Sequence, residues 1–177
     1  MKKRGFTLIE LIVVLAIIGI LCAILVPCTF GYVRKAKITS ANSSAAEVIK
    51  TANIMLSEST EQIILDDGSY ALNCTAEQAS GGTFGSLSED VEEYILTYDD
   101  TMTRYPFALQ IYGGVAVVAA TKNGNYFGTY PAFLSHKNYE DELGENPTLG
   151  SVLETTFEYY ANKKGIEIEE DAEQVTP

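Results

Sequence analysis

Residues 2–26 read KKRGFTLIELIVVLAIIGILCAILV. A basic triplet, Lys2-Lys3-Arg4, is followed by Gly5. An apolar run then extends from Phe6 to Val26, and its single ionisable side chain, cysteines apart, is Glu10. As a helix this run is roughly 30 Å long, about the thickness of a bilayer's hydrocarbon core. It exceeds the apolar core of a secretory signal, and no Ala-x-Ala pattern follows it. A plain signal anchor fits the length but leaves Glu10 unexplained. A carboxylate inside an apolar segment costs on the order of 2–3 kcal/mol, and such a group is ordinarily paired and functional.

The stretch can supply the partner itself. Cleavage after Gly5 leaves a cationic amine on Phe6, at the tip of an apolar helix, with Glu10 about one turn further on. A helix start is already partly positive and crowded with free amides. A neighbouring helix shifted along its axis can therefore present its amine to Glu10. In low dielectric that attraction is strong and position-dependent, so it can set the register between helices. The chemistry points to assembly, not catalysis.

Lys2 to Leu11, with the apolar run behind it, closely resembles the type III signal of type IV pilins and pseudopilins. The resemblance covers about the first 35 residues: basic leader, Gly5, aromatic Phe6, Thr7, Glu10, apolar helix and Pro27. It implies that a membrane-embedded prepilin peptidase cuts between Gly5 and Phe6 and N-methylates Phe6, and that Glu10 then pairs with the Phe6 amine of a neighbour in a growing filament. It also implies an assembly platform and ATPase as partners, a cytoplasmic leader, a single pass through the inner or cytoplasmic membrane before assembly, and a surface pilus afterwards. Charge alone does not decide orientation. Lys2, Lys3 and Arg4 on one side balance Arg34, Lys35 and Lys37 on the other.

The chain has 177 residues, enough for one long helix and one modest domain, and a net charge of −12. Without the basic leader the balance is 9 basic to 24 acidic residues, or −15. Such a surface repels phosphate backbones, so no general nucleic-acid binding is expected. Cys22 and Cys28 lie in or just beyond the apolar helix and point to different sides; Cys74 stands by itself in the head, so no intrachain disulfide is expected. Many Gram-negative pilins close a C-terminal loop with a cysteine pair, and this chain departs from that pattern. No CxxC or zinc spacing, serine motif or phosphate loop is present, so no enzyme activity, catalytic residue, metal or cofactor is expected. His136 reads as a surface loop residue. The 11 tyrosines read as sheet and core residues or, alternatively, as sugar-stacking ones.

The expected fold is α+β: a long N-terminal helix, membrane-spanning then amphipathic, packed on a small antiparallel β-meander, with an additional C-terminal helix and acidic tail. Domain bounds follow: leader 1–5, transmembrane and polymerisation helix 6–26, amphipathic half 27–65, and head 66–177. The head divides into a connecting region 66–103, a sheet 104–131, and a C-terminal helix with its tail at 132–177. Pro27 removes a helical hydrogen bond to Ala23 and loosens the helix near 19–27. It is a tolerated membrane proline or, by the resemblance, a stretch that unwinds on assembly. Ala45, Val48, Ile49, Ala52, Leu56 and Ile63 keep helical spacing, and Asp66-Asp67-Gly68-Ser69 ends the helix rather than forming a calcium loop. Ser86-Leu87-Ser88-Glu89 has capping-box spacing, with a short helix over 88–96. Three strands are expected, over 105–112, 115–122 and 125–130, joined by Gly113-Gly114 and Asn123-Gly124 and stopped by Pro131. Asn146-Pro147 opens a helix to Lys164, capped by Gly165. Residues 139–177 hold 11 acidic and 2 basic residues, read as a solvated face and frayed end or as a surface touching neighbours.

The function these readings imply is a structural subunit of a type IV pilus forming a homo-oligomeric filament for adhesion or motility. The alternatives are a pseudopilin of a type II secretion or DNA-uptake machine and, in another class, a membrane-anchored binding module.

Overall fold

The computed structural model describes residues 6–58 and 65–166. The leader with Gly5, Ile63 and the acidic tail from Glu167 lie outside the described residues. The chain divides into two compact units, Met1–Ala36 and Lys37–Pro177. Helix α1 runs Leu8–Glu58 and contains Pro27. In the first unit its apolar side chains are exposed, Phe6, Leu8 and Ile9 at 70% or more. This segment is long and apolar enough to cross a membrane. Thr29 Oγ1 donates to the Leu25 carbonyl at 2.8 Å, one turn around Pro27.

The second unit is built on a four-stranded antiparallel sheet in the order β1 (Gly68–Leu72), β2 (Phe107–Tyr112), β3 (Val115–Asn123), β4 (Tyr126–Tyr130). The three expected strands are present, and β1 is an addition from the supposed connecting region. It pairs Gly68 with Ile111 and Leu72 with Phe107. Asp66-Asp67-Gly68-Ser69 read as the end of a helix and the residues after it as a connecting region; pairing with β2 makes Gly68–Leu72 a strand. The Asp67 carboxylate accepts the Gly113 and Gly114 amides at 2.9 and 3.2 Å, fixing the β2–β3 turn. Both glycines have positive φ, +63° and +75°, as a type I′ turn demands. The β3–β4 turn is Gly124-Asn125, one residue later than expected: Asn123 pairs with Tyr126, and Gly124 carries the positive φ.

Period-two alternation puts the two faces of the sheet into two cores. Phe107, Leu109 and Ile111 pack with Val48, Ile49, Ala52 and Met55 of α1. Ala108, Val118 and Ala120 pack with Leu149, Val152 and Leu153 of a C-terminal helix on the other face. The remaining helices are α2 (Ala76–Ala79), α3 (Glu89–Tyr98), α4 (Asp100–Arg104), α5 (Tyr139–Leu143) and α6 (Leu149–Lys164). The α3 cap is Ser88, whose side chain accepts the Val91 amide, not Ser86. Thr148 rather than Asn146 caps α6, and Gly165 closes it in the left-handed conformation.

Side chains of α1 also bond the sheet directly. Asn53 both donates to the Ala116 carbonyl and accepts its amide, each at 2.9 Å. Asn42 accepts the Thr129 amide at 2.9 Å and donates to the Leu134 carbonyl at 2.8 Å. The Phe127 amide donates to the Tyr139 hydroxyl at 2.5 Å. Side chains thus occupy two amides of the terminal strand β4, where an open edge invites unwanted pairing.

Candidate assembly site at the helix start

Thr7 is the residue before α1, and Glu10 lies in its first turn. The Glu10 carboxylate accepts the Thr7 amide at 2.9 Å and the Thr7 hydroxyl at 2.7 Å, both on Oε2. In return the Glu10 amide donates to Thr7 Oγ1 at 3.4 Å. This is the reciprocal capping box of a Thr-x-x-Glu start, and the carboxylate also faces the positive end of the helix dipole. Phe6, Ile9, Glu10, Val13 and Val14 line a shallow, largely apolar groove of about 300 Å³. The helix therefore holds one carboxylate in a fixed rotamer beside exposed apolar side chains. From Phe6 to Val33 the sequence holds no cationic side chain to neutralise it. Thr7's role was missed in the sequence, although the Thr-x-x-Glu spacing carries the signal.

Other singled-out residues fall elsewhere. Pro27 lies further along α1, and Cys22 and Cys28 are exposed free thiols on the same helix. Cys74 is half-buried; burial, then the Glu92 carboxylate, push its thiol pKa up. His136 is exposed, whereas Tyr70 and Tyr139 are buried. Among the described residues no group of three or more His, Cys, Asp or Glu side chains is placed to hold a metal ion.

The class defined by these observations is an α+β protein whose N-terminal helix is long and apolar enough to cross a membrane and carries a capped acid in its first turn. Comparison narrows the class. Residues 1–26 match the family described as the prokaryotic N-terminal methylation motif. The chain is similar to the type IV major alpha-pilin of Moraxella bovis, 31% identical over 93 residues, or 51% of this chain and 58% of that one. It is also similar to prepilin peptidase-dependent protein D of Escherichia coli K12, 60% identical over 38 residues, 22% of this chain and 26% of that one. A fimbrial protein of Moraxella nonliquefaciens is 46% identical over 50 residues, 28% and 32% of the two chains. The matches thus span little more than half of the first relative and a third or less of the others. No solved structure matches. Over these stretches the chain resembles type IV pilins and prepilin-like proteins, through its N-terminal motif and through these relatives.

Proposed function

We propose that this chain is a structural subunit of a type IV pilus. It is made with the leader 1–5, cut by a prepilin peptidase between Gly5 and Phe6, N-methylated at Phe6, and polymerised through residues 6–26 with the head 66–177 outward. The amphipathic half, 27–65, links the two. Before assembly it sits in the cytoplasmic membrane with its leader inside, where an assembly platform and ATPase extract it. The observation that carries this reading is the lone Glu10 carboxylate, held by Thr7 at the head of a helix whose side chains are apolar and exposed. A neighbour's cationic Phe6 amine neutralises the charge when apolar surfaces pack around it, and leaving the charge unpaired there costs several kcal/mol. The longest of the three alignments, to a major pilin, favours a pilus over a pseudopilin. Pro27 and Thr29 loosen the helix where packing in a filament asks it to adapt.

The test is mass spectrometry of the native protein together with electron microscopy of sheared surface material. A mature chain starting at N-methyl-Phe6 and present in filaments is expected. Glu10→Val is expected to be cut normally yet absent from filaments. A retained leader, or normal filaments from Glu10→Val, overturns the reading.

A further inference from the structure

A second site lies in the head, apart from the helix start. A cleft of about 630 Å³ is bounded by α2, the segment after it, β3, β4 and the start of α6, within the usual size of small-ligand sites. The sequence builds its wall deliberately. Thr148 Oγ1 donates to the Ser80 carbonyl, tying the α2 segment to α6. A Cβ on Gly150 would lie 2.5 Å from the Ser80 carbonyl and 2.6 Å from the Gly82 amide, and Gly81 holds φ +78° against the Thr148 hydroxyl. These glycines bring two backbones into contact that any side chain would separate. Thr75 and Gln78 are locked in a reciprocal cap. The Gln78 amide oxygen is thereby used, while its NH₂ group has no partner among the described residues.

Lys122 supplies the cation. It is half-buried, its ammonium sits 5.4 Å from the centroid of the buried Phe127 ring, and it forms no ion pair among the described residues. Stacking on the aromatic face holds the ammonium in place at the cleft wall. Glu77 and Asn146 also line the cleft. Glu77 disfavours a bare anion but accepts hydroxyl groups, and the two amides serve hydroxyls equally well.

We propose that this cleft binds a hydroxylated carboxylate, as in a uronic-acid unit of an acidic saccharide, with the carboxylate on Lys122 and the hydroxyls on Glu77, Gln78 and Asn146. The site is independent of the filament assignment, and its failure leaves that assignment untouched. The test uses the full chain, ¹⁵N-labelled in detergent micelles, titrated with glucuronic acid, glucose and acetate. Glucuronic acid is expected to shift the Gln78, Lys122 and Thr148 amides saturably. Loss of a charge-assisted bond predicts at least roughly tenfold weaker binding for glucose, and for glucuronic acid to Lys122→Gln. Lys122→Arg restores binding, and unchanged amides elsewhere show that both variants fold. Absence of a saturable shift, equal binding to Lys122→Gln, or acetate matching glucuronic acid (a simple anion site only) overturns the proposal.

Discussion

Two side chains show how much a single residue decides. Thr7 fixes where Glu10 points through two bonds to one oxygen. Thr7→Ala therefore uncouples capping from charge. Loss of an N-cap costs about 1 kcal/mol, so hydrogen exchange of the Glu10 and Leu11 amides, which bond to Thr7, is expected to accelerate roughly fivefold in micelles, with Thr7→Ser restoring the slow rate. Tyr98 is the second case. Its phenol donates to the Glu58 carboxylate. That bond first, then burial and the Glu58 charge, push its pKa up to about 12. The folded state thus favours the neutral phenol. The contribution is complete below the ordinary tyrosine value near 10 and is lost as pH rises through about 12. An ultraviolet titration of Tyr98→Phe is expected to lack a component near 12 that the parent shows, and its stability should fall less between those values. Tyr70, raised by burial and then by Asp66 and Asp67, still titrates late in both.

The packing of elements depends on a residue whose importance is invisible in a one-dimensional pattern. Gly128 sits mid-strand in β4, where a glycine ordinarily weakens a strand. Here a Cβ would fall 2.0 Å from the Ala41 carbonyl group and 2.4 Å from the Asn42 amide nitrogen. The α1 backbone rests on the strand at this point, and the Asn42–Thr129 and Thr121–Ala41 bonds depend on that approach. Gly128→Ala is expected to destabilise the head by about 3 kcal/mol or more, read as a lower midpoint in denaturant. Gly31→Ala is the control, with nothing within 4 Å of the added methyl. Period and turn chemistry made the helices and three strands legible: Phe107-Leu109-Ile111 against Ala108-Gln110-Tyr112, Gly113-Gly114, Gly165. What stayed hidden is long-range. Strand β1 exists because β2 pairs with it, Asn42 and Asn53 look like ordinary polar helix positions until they meet β4 and β3, and Asp67 caps a turn 46 residues away. At the helix start the motif was legible, since its residues are local, but Thr7's bonds were not read from the spacing.

At the scale of the whole molecule, charge sets a condition on assembly. Without residues 1–5 the chain carries 24 acidic against 9 basic residues, and among the described acids Glu140, Asp141 and Glu142 stand together on α5. The proposed filament gathers many such heads at close spacing, so every subunit added works against repulsion between like charges. The apolar helix contacts that oppose it are insensitive to ions, whereas the repulsion is screened. The screening length falls from about 30 Å at 0.01 M salt to about 8 Å at 0.15 M. Purified filaments are therefore expected to shed subunits as salt is lowered from about 0.15 M to 0.01 M, over the range where that length grows past the spacing of neighbouring side chains. Ultracentrifugation reads this as the fraction of chain left in the supernatant. Replacing Glu140, Asp141 and Glu142 with glutamine, asparagine and glutamine removes three charges per subunit without removing hydrogen-bonding capacity. It should move the loss to lower salt while the helix start is unchanged. Filaments that hold together equally well at both salt concentrations, in parent and variant alike, would mean that the acidic faces do not approach one another and that head charge plays no part in assembly.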